Sequence, residues 1–375
     1  MDEAEGDWRS VAQNLADVLL NSVGSGEGRG RGRPGRKTTQ QGRRSNNGRA
    51  LSQAECLYLA WSIIWVALHV RDAVLVDQVC LSEVQQRKVW KTLSTWQDIS
   101  SSPEDTLFHD VCFLRHRPTG QLFIINRDHT SSRASALLQS EERNDVSPLL
   151  IAVGEAVRPG TKLDEVPPVL RLILEQLSTI HAASEHTSTP AILELTTPSY
   201  AAVGLAGWLL GYPSIYLFAN GDAPAMDGDI VIDLRVIHEE EDIAENVVED
   251  AESWEEPLRN NLGGTQLCLF QASFVLPSSA SSADQHIPLF AFTVPLTALQ
   301  QPSNADSFKT TIVDDLNRRK LNAMERLKRS IEAPSNSAAQ ESSPFLTTCR
   351  HIHHMLSRCV AHVDVSQVEL PLVAL

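Results

Sequence analysis

Two stretches of this chain concentrate the residue types that bind metals. His181-Ala-Ala-Ser-Glu-His186 resembles the inverted zincin pattern His-x-x-Glu-His but carries one residue too many. On a helix, His181 and Glu185 share a face while His186 is rotated off it, so the spacing excludes a metalloprotease. Cys349, His351, His353, His354, Cys359 and His362 cluster near the C-terminus without a standard zinc spacing. There Ile352, Met355, Leu356 and Val360 alone account for an amphipathic helix. No metal is assigned. The chain has no Gly-x-Ser-x-Gly elbow, no Walker loop and no Gly-x-Gly-x-x-Gly after a strand, which disfavours the common enzymes and implies no cofactor.

Three polar residues end expected strands, the positions where α/β sheets place their ligands: Asp77, Asn126 and Asp128. For Asp77 a helix N-cap is the preferred reading over a binding role. A different chemistry is offered by residues 24–50, a low-complexity tract of Gly, Arg, Ser, Gln and Asn read as disordered. Arg29, Arg31, Arg33, Arg36, Lys37, Arg43, Arg44 and Arg49 lie there with no acidic residue among them. Gly28-Arg-Gly-Arg-Gly-Arg-Pro-Gly-Arg-Lys37 is similar both to the Arg-Gly repeats of RNA-binding tails and to the Arg-Gly-Arg-Pro core of an AT-hook, whose arginines sit in the narrow minor groove of A·T-rich DNA. Arg31, Gly32, Arg33 and Pro34 match that core. A nuclear import signal and a solubilising linker are the alternatives.

These residues need a scaffold, and residues 200–218 are its centre. The stretch is free of charge: its first half reads as a buried helix stopped by Gly211 and Pro213, its second as a buried strand. Thr196, Thr197 and Ser199 are candidate N-caps, with Pro198 in the first turn. Gly204, Gly207 and Gly211 lie within the helix, which suits close approach by another element and not a phosphate cradle. A membrane span is the competing reading, because residues 195–221 carry no charge; Gly211-Tyr-Pro213 in the middle favours a buried core.

Around that centre, residues 8–22 read as a short amphipathic helix that docks on the core or on a partner. Ser52 and Glu55 fit a capping box opening an apolar helix over 52–70. Strands are expected over 73–77 and 149–153, and a hairpin over 107–125. Helices are expected over 81–96 and 166–181, while 127–144 is merely polar. A half-exposed strand over 229–237 precedes 239–256, which packs ten acidic residues and reads as a mobile insertion able to pair with the arginines. Residues 266–276 and 287–294 form a long antiparallel hairpin. An exposed helix follows over 306–331, and another at 345–360.

At 375 residues and 42% hydrophobic, the chain holds a substantial core. Its net charge of −15 falls to −23 once the eight cations of the basic tract are set aside, so the remainder resists nucleic acid and anionic lipid. Six scattered cysteines without a Cys-x-x-Cys pair suit a reducing compartment, and the acidic start lacks the pattern of a signal peptide. Cytoplasm or nucleus is expected.

Gly207-Trp-Leu-Leu-Gly-Tyr-Pro213, Leu289-Phe-Ala-Phe-Thr-Val-Pro295, Ala73-Val-Leu-Val-Asp77 and Phe123-Ile-Ile-Asn126 resemble the uncharacterised eukaryotic family of the human chromosome 1 open reading frame 74 protein. The resemblance covers about residues 54–329. It implies no activity, so no residue inherits a role from it. The basic tract, the acidic insertion and the C-terminal tail depart from the family pattern.

The expected architecture is α/β or α+β, a single mixed-sheet domain covered by helices at 51–331. Residues 1–23 precede it with a short helix and 24–50 with the basic arm; a linker and appendage follow at 332–375. The expected function is a non-enzymatic binding or adaptor protein whose arm contacts nucleic acid or an acidic protein, with no membrane partner. The alternative is an enzyme of unrecognised type with its site at the strand ends.

Overall fold

Ser52 opens the first core helix through a capping box: its side chain accepts from the Glu55 backbone N–H while the Glu55 carboxylate accepts from the Ser52 backbone N–H at 2.8 Å. The computed structural model describes residues 11–23, 50–97, 107–139, 148–154, 157–158, 160–180, 192–218, 232–237, 262–277, 283–300, 303–332 and 343–369. Helix α1 (Gln13–Val23) comes first, then α2 (Gln53–Ala67), β1 (Ala73–Leu75), α3 (Glu83–Gln97), β2 (Val111–His116), β3 (Gln121–Asn126) and α4 (Arg127–Gln139). The middle of the chain gives β4 (Leu149–Val153), α5 (Pro168–Ser178), β5 (Ile192–Thr196), α6 (Ala202–Leu209), β6 (Ser214–Phe218) and β7 (Asp233–Ile237). The remainder adds β8 (Gln266–Leu276), β9 (Gln285–Pro295), the one-turn α7 (Leu296–Leu299), the long α8 (Ser303–Glu332), α9 (Pro344–Arg358) and β10 (Val360–Glu369).

The fold is mixed α/β. A five-stranded sheet has the order β1-β3-β2-β5-β7, with β2 and β5 parallel and the other pairs antiparallel. Antiparallel β10-β8-β9 makes a second sheet, and parallel β4-β6 a third. One core lies among α5, α6 and the five-stranded sheet, where Trp208, Phe123 and Ile173 are sealed. A second gathers α1, α2, α3, α8 and α9 around the β8–β9–β10 sheet. Helix α1 docks on the chain's own α2, α3 and α9, burying Leu15 and Leu19 completely. The basic tract 24–49, outside the described residues, therefore joins two helices that are packed together. The acidic block 239–256 and the His181–His186 motif also lie outside the described residues.

Several expectations change. Residues 127–139, read only as polar, form α4, whose Arg127, Thr130, Ser131 and Ala134 are buried on one face. The strand β5, unrecognised in the sequence, is central because it pairs with β2 on one side and β7 on the other. Thr196, Thr197 and Ser199 cap nothing: Pro198 precedes a 3-10 turn at Ser199–Ala201 that leads into α6, and Thr197 Oγ1 instead meets buried His116 at 2.8 Å. Among the described residues, no helix is long and apolar enough to cross a membrane.

The glycines of α6 confirm close approach. A Cβ on Gly204 would fall 2.4 Å from Leu217 Cδ2, and one on Gly207 3.3 Å from Ile215 Cγ2, so α6 lies flush on β6. Gly211 ends the helix with φ +69°. Its N–H bonds Trp208 O and the Tyr212 N–H bonds Gly207 O, both at 3.1 Å, which makes a Schellman turn. A Cβ here would sit 1.9 Å from Asp72 Oδ2. Gly120 has a similar φ of +67° in open space. Gly211→Ala therefore combines backbone strain with a collision and lowers stability by about 2 kcal/mol or more, whereas Gly120→Ala costs about 1 kcal/mol. Urea denaturation of the two variants checks the order.

Candidate functional site

The helix α2 ends in a second Schellman turn. His69 N–H bonds Val66 O at 3.1 Å and Val70 N–H bonds Trp65 O at 3.0 Å, which puts His69 at the left-handed position with φ +57°. Glycine is the usual residue there, and histidine bears a strain of about 1 kcal/mol. The turn delivers Arg71 and Asp72 to the point where the turn of α6 arrives with Gly211 and Tyr212. Two helix C-termini thus converge on one charged dipeptide.

Asp72 is fully buried and gathers two arginine side chains and one histidine. From α8, Arg319 reaches both carboxylate oxygens, Nη1 to Oδ1 at 2.8 Å and Nη2 to Oδ2 at 3.1 Å. From α4, Arg133 Nη1 lies 3.2 Å from Oδ2, and His129 Nε2 donates to Oδ1 at 2.6 Å. Burial alone would raise the carboxyl pKa; the Arg133 and Arg319 guanidinium groups and the His129 hydrogen bond outweigh it and hold Asp72 well below the usual carboxylate range. Burial likewise works against Arg319, but Asp72 and Asp315 raise its pKa above the ordinary guanidinium value. Asp315, one turn earlier on α8, accepts from Arg319 Nε at 2.6 Å and also pairs with Arg318.

The cations are themselves fixed. Arg133 donates Nη2 to Trp208 O at 3.1 Å, at the C-terminal end of α6 where cations are favoured, and its guanidinium lies 4.8 Å over the Trp208 ring. The His129 ring stacks on His69 at 4.3 Å. Burial, with the nearby charges of His129 and Arg326, pushes His69 down to about 2, so it stays neutral.

The three strand-end candidates are placed around this junction without converging on one another. Asn126 is buried, and its Oδ1 accepts the His129 N–H at 3.0 Å, so it caps the start of α4. Asp128 is exposed in the first turn of α4, in the field of Arg326. Asp77 caps no helix, a correction: α3 starts at Glu83, and Ser82 supplies the cap, its Oγ accepting from Gln85 N–H at 3.3 Å. Asp77 instead accepts from Tyr58 Oη at 3.4 Å. The arm residues Arg29, Arg31, Arg33, Arg36, Lys37, Arg43 and Arg44 lie outside the described residues.

Sequence reading missed Arg71, Asp72, His129, Arg133 and Arg319. One signal was available: Arg71-Asp72 is the only charged pair inside an apolar run from Cys56 to Val76, and charges flanked by core residues on both sides are buried ones. In the C-terminal cluster, Cys349 and Cys359 are buried thiols, raised by burial to about 12 and about 11. Among the described residues, no group of three or more His, Cys, Asp or Glu is arranged to hold a metal ion.

Fold and junction define a mixed α/β protein whose two cores meet at a buried carboxylate. A domain of unknown function (DUF4504) spans residues 41–226, as matched by its family model. No curated protein and no solved structure gives a significant match. The matched span holds Asp72, His129, Arg133 and Gly211, while Arg319 and Asp315 come from beyond it.

Asp72→Ala leaves two guanidinium groups without their shared anion and costs about 3–5 kcal/mol in urea unfolding. A second outcome concerns pH. His116 is sealed between Thr119 and Thr197, and burial lowers it to about 4. The unfolded chain takes up protons near the ordinary histidine value of about 6.5, where folded His69 and His116 refuse them, so stability falls as pH drops below that value. Each histidine contributes at most about 1.4 kcal/mol per pH unit, and His116→Asn flattens the decline between about pH 7 and 5.

Proposed function

We propose that the protein is a non-enzymatic binding or adaptor protein, and that it is a member of the family of the human chromosome 1 open reading frame 74 protein. The observation that carries the first reading is the saturation of Asp72. A catalytic Asp–His pair leaves the carboxylate free to strengthen its histidine as a base. Here two guanidinium groups share that carboxylate, which makes Asp72 a clasp between α4 and α8 and a weak support for proton transfer. Asn126 is occupied as a helix cap, and Asp128 stands exposed in the first turn of α4. The four apolar segments at 73–77, 123–126, 207–213 and 289–295 support the family reading.

The binding surface in this proposal is the basic tract between α1 and α2. Eight cations in a protein otherwise at −23 supply the phosphate contacts of a nucleic-acid ligand or the pairing for an acidic protein. Both flanking helices are docked on each other, so the tract is anchored to the second core at its two ends. The scattered free cysteines support a reducing compartment, cytoplasm or nucleus, as the place of this activity.

Truncation at Leu51 would remove α1 with the tract and open the core at Leu15 and Leu19. The test therefore substitutes Arg29, Arg31, Arg33, Arg36, Lys37, Arg43 and Arg44 by Gln in the full chain. Fluorescence anisotropy with duplex DNA and single-stranded RNA is expected to show binding by the natural chain that weakens steeply with salt, and at least about tenfold weaker binding by the variant. Equal titration of both proteins, or no binding by either, rejects the nucleic-acid reading.

A further inference from the structure

The two edges of the β10–β8–β9 sheet are built in opposite ways. On β9, Pro288 and Pro295 lack amide protons and the register slips at a bulge opposite Ala272 and Ser273. Thr293 O, on the same strand, is taken by Tyr216 Oη at 2.8 Å and Ser214 Oγ at 3.1 Å. An open edge invites another strand, and proteins blunt their edges by such devices. The outer edge of β10 has none of them. Val360–Glu369 pairs with β8 through ten consecutive residues without a register shift, is long for a strand, and carries neither proline nor lysine. Among the described residues, no backbone group of β10 bonds any element but β8. Other edges are shorter or occupied: β1 has three residues and β7 five, and β4 is flanked by residues 161–163, with Ala152 N–H on Thr161 O at 2.8 Å and Leu163 N–H on Leu150 O at 2.9 Å.

The two faces of β10 also differ. Ala361 and Val363 are buried opposite Phe274 and Ala272, and Val365 packs against the same core opposite Phe270. On the other face Val360 is 55% exposed, Asp364 and Ser366 are exposed, and His362 Nε2 meets Asp364 Oδ1 at 3.0 Å. His286 of β9 packs edge-on against the His362 ring at 6.0 Å, so His362 is braced from within the sheet. A strand added to this edge must alternate in the same way, with apolar residues toward the core and, on the other face, an acid opposite His362 and a base opposite Asp364.

β10 itself meets that description. In two-fold antiparallel pairing, facing residues share a side of the sheet only when the axis passes through a residue. An axis at Val363 sets His362 opposite Asp364 of the second copy, Ala361 opposite Val365 and Val360 opposite Ser366, and no other centre brings His362 and Asp364 together. Axes at His362 or Asp364 set like residues against each other. We propose that β10 docks on β10 of a second copy in this register, joining two three-stranded sheets into one continuous sheet. His362 and Asp364 of both copies then form a closed set of alternating base and acid, while Ala361, Val363 and Val365 carry the apolar face across the axis. This surface does not depend on the basic tract.

The experiment measures the mass of the full chain by sedimentation equilibrium over a range of concentrations, with amide hydrogen exchange as a second readout. A dimer is expected, with exchange in residues 360–366 slower at high concentration than at low. Val360→Lys combined with Ser366→Lys changes two exposed positions and puts lysine opposite lysine on both sides of the axis, which weakens association at least about tenfold. Val360→Lys combined with Ser366→Glu sets unlike charges opposite each other and restores it. Circular dichroism of the dilute proteins checks that both variants keep the native fold. A chain that stays monomeric at the highest concentration reached overturns the proposal. So does a dimer that the lysine pair leaves unchanged, or one that the lysine–glutamate pair weakens equally.

Discussion

A carboxylate sealed from water must be neutralised where it stands, and in this protein that requirement falls on Asp72. Its partners come from α4 and α8, nearly 60 and 250 residues away in sequence. The bidentate contact from Arg319 is directional as well as electrostatic, so it fixes both the rotation and the axial position of α8 over the turn that ends α2. The apolar stripe of α8, with Ile312, Leu316 and Leu327 buried, would tolerate sliding far better than that fork does. Hydrophobic burial supplies the attraction, and the ion cluster supplies the register.

Backbone geometry makes the cluster possible. Two helix C-termini end in Schellman turns that face each other, one with the expected glycine and one with His69 in its place. Gly211 is needed because the space a Cβ would occupy belongs to the Asp72 carboxylate. His69 is tolerated because its ring stacks on His129, which donates to the same carboxylate. The strained residue, the close glycine and the buried charge are thus parts of one arrangement.

Much of the fold was legible because its signals are local. Residues 52–67 carry a capping box and an apolar run, 149–153 and 266–276 are β-rich segments bounded by polar residues, and the α6–β6 unit is punctuated by Gly211 and Pro213. Helix α4 was not legible, because Arg127 to Gln139 buries arginine, threonine and serine where a periodic apolar stripe is normally sought. Strand β5 was hidden by its length and by the apolar run that follows it. β10 escaped because Val360–Glu369 alternates weakly and gains its order from ten-residue pairing with β8.

The sequence by itself determined most of the elements other than α4, β5 and β10, the mixed α/β class, the tight glycine-lined contact of α6 and the separation of basic and acidic charge, since each follows from neighbours within a few residues or from composition. It also pointed to Asp77, Asn126 and Asp128 as polar residues near strand ends. What only the tertiary structure decided is which charges meet. Asp72 and Arg319 carry no mark of each other, because an ion pair depends on distance in space and on burial, and neither is written in chain spacing. The same holds for Arg71, whose Nε is left without a hydrogen-bond partner among the described residues only once the other side chains have been placed.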